Sequence, residues 1–165
     1  MITCGPTGST GQQVADAINA NADAIVTLSS LPIVRVYCTS ALASMALSTT
    51  PAKVTVGNAT QSVNSGITVT TFSDFTVTVA GFYEVYFNLS CTFDNNEVIA
   101  FKGAINGVVN TAESVYTTGT GRPIGVSWSS ILQLAIGDVL SIHANTVTLT
   151  ANMVIESSSV IVKKV

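Results

Sequence analysis

Few side chains in this sequence are of a type that does chemistry, and they are scattered. The single histidine, His143, stands in Leu140-Ser141-Ile142-His143-Ala144. A catalytic histidine needs a nucleophile and an orienting acid in contact with it, and no serine sits in a marked strand-to-helix elbow. Alternation with Leu140 and Ile142 sends His143 outward, as a solvated strand residue. Nine acidic residues are present, but none has the context of a carboxylate pair flanking a scissile bond. Asp94-Asn95-Asn96-Glu97 gathers oxygen-bearing side chains of the kind that hold Ca2+; a solvated hairpin tip accounts for the same run. Gly119-Thr120-Gly121-Arg122 is followed by no helix whose N-terminus would cradle a phosphate. Asn58-Ala59-Thr60 and Asn88-Leu89-Ser90 match the glycosylation acceptor pattern, which arises by chance in Ser/Thr-rich chains. Cys4, Cys38 and Cys91 form no Cys-x-x-Cys or Cys/His set that would bind a metal. Cys38 shares a face with Val34 and Val36, and Cys91 lies on the apolar face of its strand. Buried free thiols of a reducing compartment are therefore expected ahead of a Cys38–Cys91 disulfide. These residues point to no enzyme, no cofactor and no metal.

The elements that carry them must come from an unusual composition. Of 165 residues, 9% are charged and 47% hydrophobic, yet only 7% are aromatic. Valine, threonine, alanine and serine fill the difference, which suits half-buried pleated strands. Low charge with high apolarity argues against disorder and for surface covered by other chains. A net charge of −3 with six Lys plus Arg excludes the basic cluster that nucleic acid requires. No run of about 20 apolar residues exists to cross a membrane, and the start of the chain shows neither a basic region nor an apolar stretch typical of a signal peptide.

Three parts follow along the chain: a glycine-rich arm over 1–11, a helical stalk over 12–31 and a β-rich head over 32–165. The arm holds Gly5-Pro6-Thr7, Gly8-Ser9-Thr10 and Gly11-Gln12-Gln13, the triplet spacing of a collagen helix. A flexible arm is preferred to a triple helix here, because so few triplets wind only if something downstream already holds three chains. The helix, from Gln12 to about Ser29, begins with Ser9 and Thr10 each three residues before a glutamine, a capping-box pattern. Val14, Ile18, Asn21, Ile25 and Leu28 alternate at spacings of four and three, a heptad seam with Asn21 as its register-fixing polar residue. An amphipathic helix lying on its own domain is the alternative.

From Ile33 the period becomes two. Short strands are expected at Ile33–Cys38, Lys53–Val56, Gly66–Thr71 and Phe75–Val79, with Thr39–Pro51 unassigned. Gly81 marks a turn or bulge before Phe82–Phe93, where Tyr83, Val85, Phe87, Leu89 and Cys91 share one face and Phe82, Glu84, Tyr86 and Asn88 the other. Val98–Ile105 and Val108–Val115 flank Asn106-Gly107, a strong hairpin signal. A loop over Thr117–Gly125 precedes Ile131–Leu134, the Gly137-Asp138 turn and Val139–Ala144. Val147–Ile155 and Ser159–Val165 close the series. Many short strands at this interval mean an all-β sandwich or jelly roll.

Residues from about Lys53 to Val165 resemble the C1q/TNF-like jelly roll. The resemblance rests on Phe75, Gly81-Phe82-Tyr83-Glu84-Val85-Tyr86, Asn106-Gly107, the run from Ser130 through Leu134-Ala135-Ile136-Gly137-Asp138-Val139, and Ser157–Ser159 leading into a last apolar strand. It implies a homotrimer, with Phe82 and Tyr86 at the trimer interface beside the helical seam of Val14, Ile18, Asn21, Ile25 and Leu28. Glu84 departs from that pattern and must find a partner or an edge. Separately, Thr7 to Asn21 is similar to a segment near the start of tailed-phage fibre and capsid-attached proteins. Together the two resemblances imply a non-enzymatic virion protein assembled in the host bacterial cytoplasm. It would be a capsid decoration or head-fibre protein, held to the major capsid protein or another virion protein through Ile2, Thr3, Cys4, Gly5, Pro6, Thr7 and Gly8. A receptor-binding fibre tip that meets a host-surface glycan, a secreted C1q-like binding module and a small hydrolase are the alternatives.

Overall fold

The computed structural model describes residues 10–29, 31–38, 44–55, 60–71, 74–94, 97–118 and 121–165. The chain divides into two units, one ending at Leu31 and the other spanning Pro32–Val165.

The first unit contains α1 (Gly11–Ser29). Its start is set by the expected cap. The backbone N–H of Thr10 donates to Gln13 Oε1 at 2.9 Å, and that of Gln13 points back to Thr10 Oγ1 at 3.4 Å. Two N–H groups that an isolated helix end leaves unmet are thereby satisfied reciprocally. Gln12 adds a side-chain bond to Asp16 one turn on, at 2.8 Å.

The second unit holds twelve strands among the described residues: β1 (Ile33–Cys38), β2 (Met45–Leu47), β3 (Ala52–Lys53), β4 (Thr60–Ser65), β5 (Ile67–Thr71), β6 (Asp74–Val77), β7 (Gly81–Phe93), β8 (Val98–Ile105), β9 (Val108–Thr118), β10 (Ile124–Leu134), β11 (Val139–Thr146) and β12 (Ala151–Lys164). They form two antiparallel sheets. The first runs β10-β7-β12-β1-β4 with β2 on β12; the second runs β5-β6-β11-β8-β9 with β3 on β11. The order never follows the chain for long, as a jelly roll requires.

Period-two patterning decides which faces meet. Tyr83, Val85, Phe87, Leu89 and Cys91 of β7 are all buried, as their alternation predicts. They share the inner face of their sheet with Val34, Val36 and Cys38 of β1 and meet Ile99, Phe101, Leu140 and Ile142 of the opposite sheet, in one continuous core. Phe87 stands at its centre, with ring centroids 6.1 Å from Phe101 and 5.5 Å from Trp128. Cys38 and Cys91 are buried and form no disulfide; burial, and secondarily the charge of Glu156, pushes the Cys91 thiol up to about 12.

The short motifs turn out to be corner pieces. Asn106 (φ 52°) and Gly107 (φ 78°) make the left-handed two-residue turn between β8 and β9. Asp138 Oδ2 accepts the N–H of Ala135 at 2.7 Å, closing the turn between β10 and β11. Its other oxygen accepts Asn106 Nδ2 at 2.8 Å, and Asn106 Oδ1 accepts the N–H of Val139 at 2.9 Å. The two turns are thus tied together. Gly81 (φ 155°) opens β7, where a Cβ would lie 2.5 Å from Lys164 Cε. Tyr83 anchors the same corner by donating its hydroxyl to the Val79 carbonyl at 2.6 Å.

Five stretches differ from expectation. The two closing strands are one, β12, because a register shift between Ile155 and Ser157 carries the pairing with β7 through the serine run; residues 147–150 turn into it instead. The loop expected over Thr117–Gly125 is shorter: β9 continues to Thr118 and β10 already begins at Ile124. Val126 and Trp128 point inward there, and Ser127 and Ser129, in a stretch without an expected element, are the outward half of a strand. Met45–Leu47 and Thr60–Ser65 are strands that the Ser/Thr composition concealed. The strand expected over Lys53–Val56 shrinks to Ala52–Lys53, although Val54 is buried and its N–H bonds the Ile142 carbonyl at 2.8 Å.

Candidate functional site

The outer face of the first sheet gathers three exposed large hydrophobic side chains, Phe82, Tyr86 and Ile131. Register fixes their neighbours. Ile131, Glu84, Lys163 and Ile33 form one row across β10, β7, β12 and β1; Ser129, Tyr86, Ile161 and Arg35 form the next; Ser127, Asn88, Ser159 and Tyr37 a third. Phe82 and Gln133 lie beyond the first row. Phe82 is 54% exposed, Tyr86 39% and Ile131 63%. Ile33, Tyr86 and Ile161, with the stems of Glu84 and Lys163, line a recess of about 330 Å3. The expected charge conflict is resolved within the chain: Lys163 Nζ pairs with Glu84 Oε2 at 2.7 Å. Ser127 Oγ donates to Asn88 Oδ1 in the third row. The face therefore offers aromatic and aliphatic surface whose polar members are already partly matched, in a chain with little charge elsewhere.

Phe82 and Tyr86 both lie on this face, as alternation in β7 requires. Sequence reasoning missed Ile131 and Ile161. Their signal was present, since each alternates with buried neighbours in β10 and β12, but both strands were drawn with the wrong limits. On α1, Val14 and Ile18 are exposed, at 48% and 62%, and Asn21 is exposed on the same helix. Ile25 and Leu28 fall within α1, but their side chains lie outside the described residues. Ile2, Thr3, Cys4, Gly5, Pro6, Thr7 and Gly8 lie outside them altogether.

His143 is not the solvated residue expected. It is 9% exposed on the outer side of β11, set between Lys53 of β3 and Lys102 of β8 in cross-strand register. Its Nε2 meets Ser141 Oγ at 3.1 Å, and Ser141 is itself buried. The nearest acid, Asp74, is bound to Lys53 at 2.7 Å. A serine beside a histidine recurs here without an orienting carboxylate or access for a substrate, so the pair is a packing feature. Burial first, and then the positive charge of Lys53, lowers the His143 pKa, with Asp74 opposing. The native state thus binds fewer protons than the unfolded chain in the window just below the ordinary value of 6.5, and stability falls as pH drops through it. The urea midpoint should be lower at pH 5.0 than at pH 7.5, and His143→Gln should flatten that dependence. An unchanged slope in the variant would remove His143 as its source.

Asp94 and Glu97 of the acidic run are both engaged by hydrogen bonds. Asp94 accepts the N–H of Asn152 at 2.9 Å and its Nδ2 at 2.6 Å. Glu97 is 5% exposed and accepts the N–H of Thr148 at 2.7 Å. Hydrogen bonding to these partners lowers both carboxyl pKa values. They pin the turn before β12, and among the described residues no group of three or more His, Cys, Asp and Glu side chains is placed to hold a metal ion.

No protein-family model matches the chain, and no curated protein matches it by sequence. Solved structures do. The Eiger TNF of S. frugiperda is similar with a TM-score of 0.59 at 16% identity, over 81% of this chain and 93% of that one. The PRD1 vertex protein P5 is similar with a TM-score of 0.56 at 12% identity, over 82% and 98%. The globular domain of zebrafish complement 1qA gives 0.51 at 16% identity, over 82% and 97%. At such identities the likeness is one of architecture, and the chain has a TNF/C1q-like jelly roll with one N-terminal helix.

Proposed function

We propose that the chain is a non-enzymatic, homotrimeric structural protein of a phage virion, a capsid decoration or head-fibre protein. The observation that carries this reading is the uncovered outer face of the first sheet, with Phe82, Tyr86, Ile131 and Ile161 around an internal Glu84–Lys163 pair. Contiguous apolar surface of this kind marks an interface. Copies of this chain are its natural occupant, because Glu84 and Lys163 neutralise each other at the centre of the patch and Arg35 stands only at its edge. The number three comes from the resemblance to C1q/TNF-like proteins. The exposed Val14 and Ile18 of α1 support a stalk of several chains, since most helical stability in proteins comes from packing an apolar face. Similarity in fold to a phage vertex protein supports the virion setting, as does the likeness of Thr7–Asn21 to phage fibre proteins. Two buried thiols that form no disulfide suit assembly in a reducing cytoplasm.

At the end of the sandwich opposite the tied turns, Ser48, Thr49, Thr50, Thr118, Thr148 and Thr150 stand with Val147, Leu149, Arg122 and the hydrogen-bonded carboxylates Asp94 and Glu97. The prevalence of small hydroxyl side chains there supports decoration over a receptor-binding tip. Attachment is assigned to the arm, where three copies acting together amplify a weak single contact. Light scattering on the purified protein should return about three times the chain mass. Deleting Met1–Gly8 should leave that mass unchanged and abolish binding to particles that lack the protein. A monomer at micromolar concentration overturns the trimer, and undiminished binding by the truncated form moves the contact to the head.

A further inference from the structure

Beyond the apolar rows, the same sheet face changes character. A depression of about 380 Å3 opens there, lined by Arg35, Asn88, Ser90, Ser127, Ser157 and Ser159 with the Tyr37 ring. Two breaks in register flank it: one in β12 between Ile155 and Ser157, the other in the pairing of β1 with β4 between Arg35 and Val36. Such bulges interrupt the ladder and re-aim side chains, and they concentrate at functional sites. Arg35, at the second break, is exposed with its guanidinium 5.8 Å from the Tyr37 ring centroid. Ser127 occupies Asn88 Oδ1, which leaves Asn88 Nδ2 to donate. No carboxylate lines the depression.

We propose that this depression binds an acidic sugar. The guanidinium fork matches a carboxylate through two parallel N–H bonds. The serine hydroxyls, which both donate and accept, match sugar hydroxyls. One fixed positive charge ringed by neutral groups fits a ligand with one negative charge and many hydroxyls. A polyanion such as nucleic acid calls for several cations. The volume lies at the low end for small-molecule sites, near one or two sugar rings.

The site is built from one chain, and because Arg35 ends the row that holds Tyr86 the proposal requires self-association to leave the Tyr37, Asn88 and Ser159 end of the face open; chain number is therefore measured beside binding. Saturation-transfer difference NMR on the intact protein with galacturonate, glucuronate and N-acetylneuraminate is the test, with galactose and inorganic phosphate as controls and light scattering on each sample. At least one acidic sugar should bind, galactose should not, and phosphate should compete at least tenfold less well than the sugar. Arg35→Gln should abolish the signal, and Arg35→Lys, which keeps the charge and loses the fork, should weaken binding several-fold; circular dichroism and mass should be unchanged in both. The proposal is overturned if none of the three sugars binds, if binding survives Arg35→Gln, or if phosphate competes as well as the sugar and the site takes an adventitious ion only.

Discussion

Tyr86→Asp is expected to leave the head folded and to reduce the assembled protein to single chains. Tyr86 points out of the sheet, between Ser129 on one side and Ile161 on the other. Nothing inside the sandwich depends on it, so the circular dichroism spectrum and urea midpoint of the separated chain should be those of an intact fold. In the proposed trimer, the new carboxylate would leave water at three symmetry-related positions at once, and burying an ion without a partner in contact costs several kcal/mol each. Lys163 in the adjoining row is already bound to Glu84, and Arg35 stands two strands away, beyond Ile161. Light scattering should drop to the mass of one chain. A folded variant with the parental mass would place the self-association surface somewhere other than this face.

Phe87→Ala, one residue along, should do the opposite. Phe87 faces inward and has no exposed surface, with Phe101 and Trp128 against its ring. Truncating a buried phenylalanine costs about 3–5 kcal/mol through lost burial and the cavity left behind. Domains are stable by only about 5–15 kcal/mol in total. The variant should therefore melt far earlier, or fail to accumulate as folded protein, whatever the chain number. Thermal unfolding followed by far-UV circular dichroism measures it, and a loss below about 1 kcal/mol would mean that the site can collapse around the gap. Two neighbouring aromatics thus separate the assembly from the fold.

Those two predictions were legible from the sequence because β7 alternates without interruption over its whole length. The legibility fails where side-chain type and strand position disagree. Ser127 and Ser129 stand in a stretch that showed no element, and Ser157 and Ser158 between two expected strands, but the pleat only asks that outward residues be small or polar, and in β12 a bulge absorbs the odd residue. His143 was misplaced for a related reason. Alternation correctly sends it to the outer side of β11, yet that side is shielded by its cross-strand neighbours Lys53 and Lys102, and register between distant strands cannot be read from one segment. Gly137-Asp138 and Asn106-Gly107 were each readable as turns, whereas the hydrogen bonds that join them needed the topology. The recess and depression on the outer face were hidden because each draws residues from strands far apart in the chain.

The place of β12 bears on how the protein is made. It is the last of the twelve strands in chain order, yet it sits at the middle of the first sheet, between β7 and β1. Until it pairs, β1 has no central partner and β7 lacks half its ladder. The head therefore closes late, by pairings of high sequence separation that form slowly, whereas the turns of α1 rest on local hydrogen bonds and wait for none of them.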